Sequence, residues 1–233
     1  MSSSLSVPRL LHWLAGALVA AFLLLMVSKV WPYRNLEPGI HFLTTKSEAT
    51  NASGLFRFGF YVHITSSLWV LAAGLVQFFP RWFRGRVAWH HRLGKLYIIS
   101  VLALAAPSGL ILAGYANGGL VAKAGFGLQC LVWWLSTWQA YRLARQHRWE
   151  LHTEWMLRSF AVTLAALSLR SESYLLYYVF GTKPIETYLT VTWLSWTGNL
   201  VLAEVLIQAG AARRLLRQAQ VFKASASVPP VVA

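Results

Sequence analysis

Leu96-Tyr97-Ile98-Ile99-Ser100-Val101-Leu102-Ala103-Leu104-Ala105-Ala106-Pro107-Ser108-Gly109-Leu110-Ile111-Leu112-Ala113-Gly114 carries no acidic or basic side chain. A helix needs about 20 mostly apolar residues to cross the hydrocarbon core of a bilayer, and this run supplies them. Five further stretches read the same way: Leu10 to Val30, Phe58 to Phe79, Leu120 to Tyr141, Trp155 to Phe180 and Thr187 to Ala209. Soluble domains carry roughly 25% charged residues. Here 12% of the 233 residues are charged and 57% are hydrophobic, too few charges to cover a water-facing surface. The expected fold is an all-α polytopic integral membrane bundle of about six transmembrane helices. Residues 1–223 read as a single transmembrane helical domain with its core at 58–209, and 224–233 as a disordered tail. The first stretch is too long for the apolar core of a signal peptide and lacks a small-x-small cleavage pattern after it.

The position of the cations orients the bundle. With the N-terminus inside, the inner segments hold Arg9, Arg81, Arg84, Arg86, Arg92, Lys95, Arg142, Arg145, Arg148, Arg158, Arg213, Arg214, Arg217 and Lys223, 14 of the 21 Lys and Arg residues. The outer segments hold Lys29, Arg34, Lys46, Arg57, Lys123 and Lys183. Both termini are therefore expected in the cytoplasm, with Trp31, Trp82, Trp89, Trp149 and Trp155 as interfacial anchors. The net charge of +14 reads as this topology signal and not as nucleic-acid binding, because the cations lie in short loops at helix ends. The partners it implies are the lipid bilayer and anionic headgroups at the cytoplasmic face. The longest outer connection, Trp31 to Arg57, contains an Asn51-Ala52-Ser53 sequon.

All seven acidic residues are Glu. The absence of Asp removes Ser/His/Asp triads, paired-Asp proteases and Asp-rich magnesium motifs. The lone Cys130 excludes an internal disulfide, a Cys-rich zinc site and an Fe–S cluster. The two inner loops, Arg86-Val87-Ala88-Trp89-His90-His91-Arg92 and Arg148-Trp149-Glu150-Leu151-His152, read as two copies of one plan. Each ends in histidine just before a span.

Ionisable groups inside spans are costly and mark candidate sites. An outer group comprises His63, Arg170 and Glu172. Polar stripes on the second span (His63, Ser67, Gln77) and the fifth (Ser159, Thr163, Arg170, Ser173) are expected to face each other or a wet cavity. An inner group comprises His90, His91, Arg92, His152, Arg158, Gln77 and Glu204. His91 and His152 start different helices at one depth, so they are the candidate metal or haem ligands, with haem b as the cofactor they would suit. Glu204 is a third ligand or a proton acceptor in that reading. The competing reading of each group is a polar network that knits the helices together. Arg158 is expected to snorkel to the headgroups, and Trp133, Trp134 and Trp138 to pack helices.

Phe60-Tyr61-Val62-His63 with Gly74 and Gln77-Phe78, His91-Arg92-Leu93-Gly94-Lys95-Leu96-Tyr97, His152 through Ala161 to Thr163 and Leu169-Arg170, and Trp196-x-x-Asn199 with Ala203-Glu204 form a recognisable set. On these motifs the chain resembles bacterial inner-membrane proteins grouped as domain of unknown function 2306. The doubled His90-His91 departs from the single histidine expected there; the Arg-x-Gly spacing favours His91. The resemblance implies an integral, multi-pass location in the inner membrane and this choice of residues, but no reaction. Three classes of function stay open: a haem, quinone or other small-ligand redox site, a non-catalytic assembly or accessory protein, and a carrier for a small solute or protons. Pro107 is the one candidate break within a span that a carrier would use.

Overall fold

The computed structural model describes residues 7–35, 39–77 and 87–217. The expected loop cations Arg81, Arg84 and Arg86, the anchor Trp82, and the chain after Arg217, including Lys223 and the expected tail, lie outside the described residues. The chain forms two compact units, Met1–Asn51 and Ala52–Ala233.

In the first unit, α1 runs from Val7 to Val30 over an almost unbroken apolar sequence. Two 3-10 turns follow, Trp31–Asn35 and His41–Thr45, and then the short α2, Glu48–Ala52. The connection after α1 is thus folded and not an open loop. Tyr33 is buried and its hydroxyl accepts from the Phe42 N–H at 3.0 Å. The Asn51 amide donates to the Leu43 carbonyl at 2.9 Å, so the nitrogen of the sequon is already used by the fold.

The second unit holds the remaining helices: α3 (Gly54–Gln77), α4 (Val87–Ile99), α5 (Ala106–Gly114), α6 (Gly119–Arg145), α7 (Trp149–Thr163), α8 (Ala165–Tyr178) and α9 (Pro184–Gln208). No strand occurs among the described residues. Among the described residues, three helices are long and apolar enough to cross a membrane: Gly54–Gln77, Ala88–Gly114 and Pro184–Gln208. α3 packs on α4 and α5, α6 lies against both α5 and α7, and α9 packs against α7 and α8. The core sits where these meet, around Val70, Tyr97, Val101, Trp133, Phe160 and Val162. α3 and α7 approach so closely that a Cβ on Gly74 would stand 2.5 Å from Phe160 Cε2.

α4 and α5 are one rod with a widened turn, Ser100–Ala105, in its middle. Pro107 supplies the reason: it has no N–H and cannot continue the helical ladder. The rod widens just before it, and the Ala106 N–H reaches back to the Val101 carbonyl. Side chains take up further carbonyls of this turn. Trp134 Nε1–H of α6 donates to Leu102 at 3.1 Å, and the Ser108 hydroxyl donates to Leu104 at 2.5 Å. This satisfies backbone that lipid cannot.

The fifth expected span, read as one helix from Trp155 to Phe180, is instead two helices that meet at Leu164. Neither Gly nor Pro causes the break. Asn199 of α9 bridges it: its amide donates to the Ala161 carbonyl at 3.1 Å, and its Oδ1 accepts from Ser168 at 2.9 Å. A side chain inserted at a helical ladder is a known cause of kinks. The third span also begins earlier than expected, at Val87, so His90, His91 and Arg92 lie within the first turns of α4 and not in a loop.

Candidate functional site

Helix ends from α3, α4, α6, α7 and α9 converge at one end of the second unit and bring most of the inner group together. The Gln77 amide, at the end of α3, donates to the His90 carbonyl at 2.8 Å. His90 and His91 have ring centroids 6.1 Å apart. His90 also lies within electrostatic reach of His152, so three imidazoles from two helices share one environment.

His152, in the first turns of α7, donates its Nδ1–H to the Ala140 carbonyl of α6 at 2.8 Å. A carbonyl only accepts, so this bond fixes the proton on Nδ1 and leaves a lone pair on Nε2 in the neutral ring. Burial holds its pKa below the usual imidazole value, against the smaller opposing effect of the Ala140 bond. Trp149 stands edge-on to the His152 ring at 6.4 Å, and Arg92 lies over the Trp89 ring at 5.7 Å.

Arg158 and Glu204 are joined by two hydrogen bonds, Nε to Oε1 at 2.5 Å and Nη2 to Oε2 at 2.9 Å. Glu154 is a second carboxylate 4.0 Å from the guanidinium, and the Trp155 ring stacks under it at 4.7 Å. This corrects the expectation that Arg158 snorkels to headgroups. A fork-to-fork pair with a carboxylate on another helix is geometrically specific and roughly twice as strong as neutral hydrogen bonds. Each Glu204 oxygen accepts one hydrogen bond from Arg158. Among the described residues no group of three His, Cys or Glu side chains is placed to hold a metal ion.

The outer group does not gather. His63 is held against the α4–α5 rod, its Nδ1–H donating to the Ala105 carbonyl at 2.8 Å and its Nε2 3.5 Å from Ser67 Oγ. Gly109 makes room for it: a Cβ there would stand 2.9 Å from both the His63 ring and Cys130 Sγ. Arg170 lies on α8, whose neighbours are α9 and α7, and donates to the Ala166 carbonyl of its own helix. Glu172 Oε2 is buried without a hydrogen-bond partner among the described residues. His63 on α3 thus packs against the α4–α5 rod, while Arg170 and Glu172 lie on α8, which packs against α9.

A hydroxyl network at the centre was not foreseen as a unit. The Tyr97 hydroxyl, fully buried, lies 2.8 Å from Ser159 Oγ and 2.9 Å from Thr163 Oγ1. Trp133 Nε1–H donates to Thr163 Oγ1 at 3.0 Å, and Thr137 Oγ1 lies 2.7 Å from Ser159 Oγ. The hydroxyls on α6 and α7 tie to Tyr97 on α4. The signal was present in the spacing: Trp133/Thr137 and Ser159/Thr163 are both i,i+4 pairs that present polar groups on one helical face.

The arrangement offers one accessible kind of chemistry, an imidazole lone pair beside further imidazoles and aromatic rings at the end of a helical bundle. Such a group accepts a proton or a hydrogen bond, or ligates a metal. Neither the curated proteins nor the solved structures yield a match. A family model described as predicted membrane protein, domain of unknown function 2306, matches residues 60–207, which include every candidate site residue from His63 to Glu204. The chain belongs to that family of membrane proteins.

Proposed function

We propose that the chain is a multi-pass protein of the bacterial inner membrane, both termini cytoplasmic, whose histidine end holds a small redox ligand, haem b or a quinone head. The observation that supports this reading is the grouping of His90, His91 and His152 from two helices, with the His152 tautomer fixed by Ala140. A histidine that ligates a metal characteristically donates its other ring N–H to a carbonyl or carboxylate; the His152–Ala140 bond has that form. Axial ligation of haem iron needs two imidazoles and no third side chain, so the lack of a three-ligand group is compatible with haem. The test is a titration of the detergent-purified chain with haemin and, separately, with a short-chain menaquinone analogue. Saturable binding lost in His152→Ala supports the reading; binding of neither ligand overturns it.

A second reading, a non-catalytic assembly or accessory protein, draws on a different observation. Arg158, Glu204, His63 and Asn199 each bond to protein groups, as expected where polar residues serve to fix helix positions. If every polar variant loses stability and neither probe binds, this second reading gains.

A further inference from the structure

The end of the second unit also carries a strongly basic face that the histidine reading does not use. α9 stops at Gln208, and the chain turns through Gly210, whose φ of +79° suits glycine. A short helical stretch follows over residues 211–217. Its Ala212 is buried and Leu215 and Leu216 are half-buried, while Arg213, Arg214 and Arg217 are exposed. Arg213 Nε donates to Glu150 Oε1 at 2.6 Å, which ties this stretch to the start of α7. Arg214 Nη2 donates to the Ala209 carbonyl at 2.8 Å and closes the end of α9. The tie to Glu150 brings the stretch beside the α6–α7 turn, where Arg142, Arg145 and Arg148 are exposed. His147, with φ of +58°, makes that turn tight. Trp149, 49% exposed, stands at the same place.

Arg213 is tied to Glu150, and Arg142, Arg145, Arg148, Arg214 and Arg217 lie exposed on the same two stretches, the α6–α7 turn and residues 211–217. Arg142, Arg145, Arg148 and Arg217 have no carboxylate partner among the described residues. Arginine forks match phosphate oxygens bidentately, half-buried leucines beside exposed arginines are the pattern of a helix lying in a membrane interface, and an exposed tryptophan suits headgroup depth. We infer that this face docks on the phosphates of anionic phospholipid, with the arginines of 213–217 and Arg148 as the phosphate contacts and Glu150 as the carboxylate that competes with phosphate for Arg213. Anionic lipid is favoured over a soluble polyanion because the arginines sit beside apolar residues at the end of a membrane bundle, where headgroups already are.

The experiment places the full chain in nanodiscs containing equal parts phosphatidylglycerol and phosphatidylcholine, extracts it in mild detergent, and measures the retained lipid by native mass spectrometry. The expected result for the wild type is enrichment of phosphatidylglycerol that weakens with salt. Arg148→Gln/Arg213→Gln/Arg217→Gln is expected to cut that enrichment at least about ten-fold, since each arginine near an anionic surface contributes roughly five-fold. Glu150→Gln, which adds no new contact and frees Arg213, is expected to raise it and so keeps the test decisive if the triple variant fails to fold. Equal retention of the two lipids by the wild type, or an unchanged ratio in Glu150→Gln, overturns the inference. So does tight capture of an oligonucleotide without phosphatidylglycerol enrichment.

Discussion

Removing one oxygen atom, in Tyr97→Phe, tests whether the central hydroxyl network holds α4, α6 and α7 together. Phe keeps the ring volume, so no cavity is made and the loss isolates the polar term. The hydroxyl makes contacts of 2.8 and 2.9 Å to Ser159 and Thr163 and is fully buried. Trp133 Nε1–H already donates to Thr163 Oγ1 and Thr137 Oγ1 lies 2.7 Å from Ser159 Oγ, so both hydroxyls keep a partner and each loses one contact. A hydrogen bond contributes ~0.5–1.5 kcal/mol net in folded proteins, and interhelical side-chain bonds in one membrane protein average ~0.6 kcal/mol. Two such contacts give an expected loss of about 1–2 kcal/mol. The assay is unfolding of the full chain in mixed detergent micelles followed by far-UV circular dichroism. Tyr174→Phe is the control, since Tyr174 is 61% exposed. A double-mutant cycle with Thr163→Val is expected to show coupling above the ~0.3–0.5 kcal/mol of independent sites. A Tyr97→Phe protein as stable as wild type, or additive with Thr163→Val, would refute the reasoning.

The other predictions concern the helix contacts that frame the site. Glu204→Arg or Arg158→Glu alone is expected to lower the midpoint of unfolding, and the double swap to recover part of it. Loss from Glu204→Gln should be about 1 kcal/mol, below the value of a fully buried pair because the Glu204 side chain is 43% exposed and solvent-screened. Gly74→Ala places a carbon 2.5 Å from Phe160 Cε2; overpacking of this kind costs ~1–3 kcal/mol, and full stability in that variant would show that α3 and α7 are not so close. Asn199→Leu leaves the Ala161 carbonyl and Ser168 without their bridge. A loss of about 1–3 kcal/mol is expected, with no loss if the break at Leu164 is set elsewhere.

What the sequence made legible was whatever depends on composition and spacing. The apolar runs located several helices to within a few residues, because hydrophobic length is a local property, but missed the polar first turns of α4 and α7. Pro107 marked the place of the widened turn, because a missing N–H acts through its own ladder. Leu164 was not legible as a break: the residue that bridges it, Asn199, lies on another helix, and no local residue carries the signal. The same limit applies to the site. Gln77 reaches the His90 carbonyl, His152 lies within electrostatic reach of His90, and Arg158 pairs with Glu204. Depth does not say which helix neighbours which, so His63 and Arg170 were expected together and pack against different helices. The partner of Arg158, Glu204, lies on another helix, so spacing alone points Arg158 to the headgroups. Tyr97 sat within a quoted motif, but its role rests on hydroxyls that only packing brings to it.

On the proposed reading, the histidine end holds a ligand rather than merely closing the bundle. The most direct test is the absorption spectrum and iron content of the full chain purified in mild detergent, with quinone extracted from the same sample, beside His90→Ala, His91→Ala and His152→Ala. The account predicts a Soret band with iron, or a co-purifying quinone, in the wild type, and its loss in His152→Ala with the helical signal unchanged. A colourless wild type, free of iron and quinone and identical to the three variants, would contradict it.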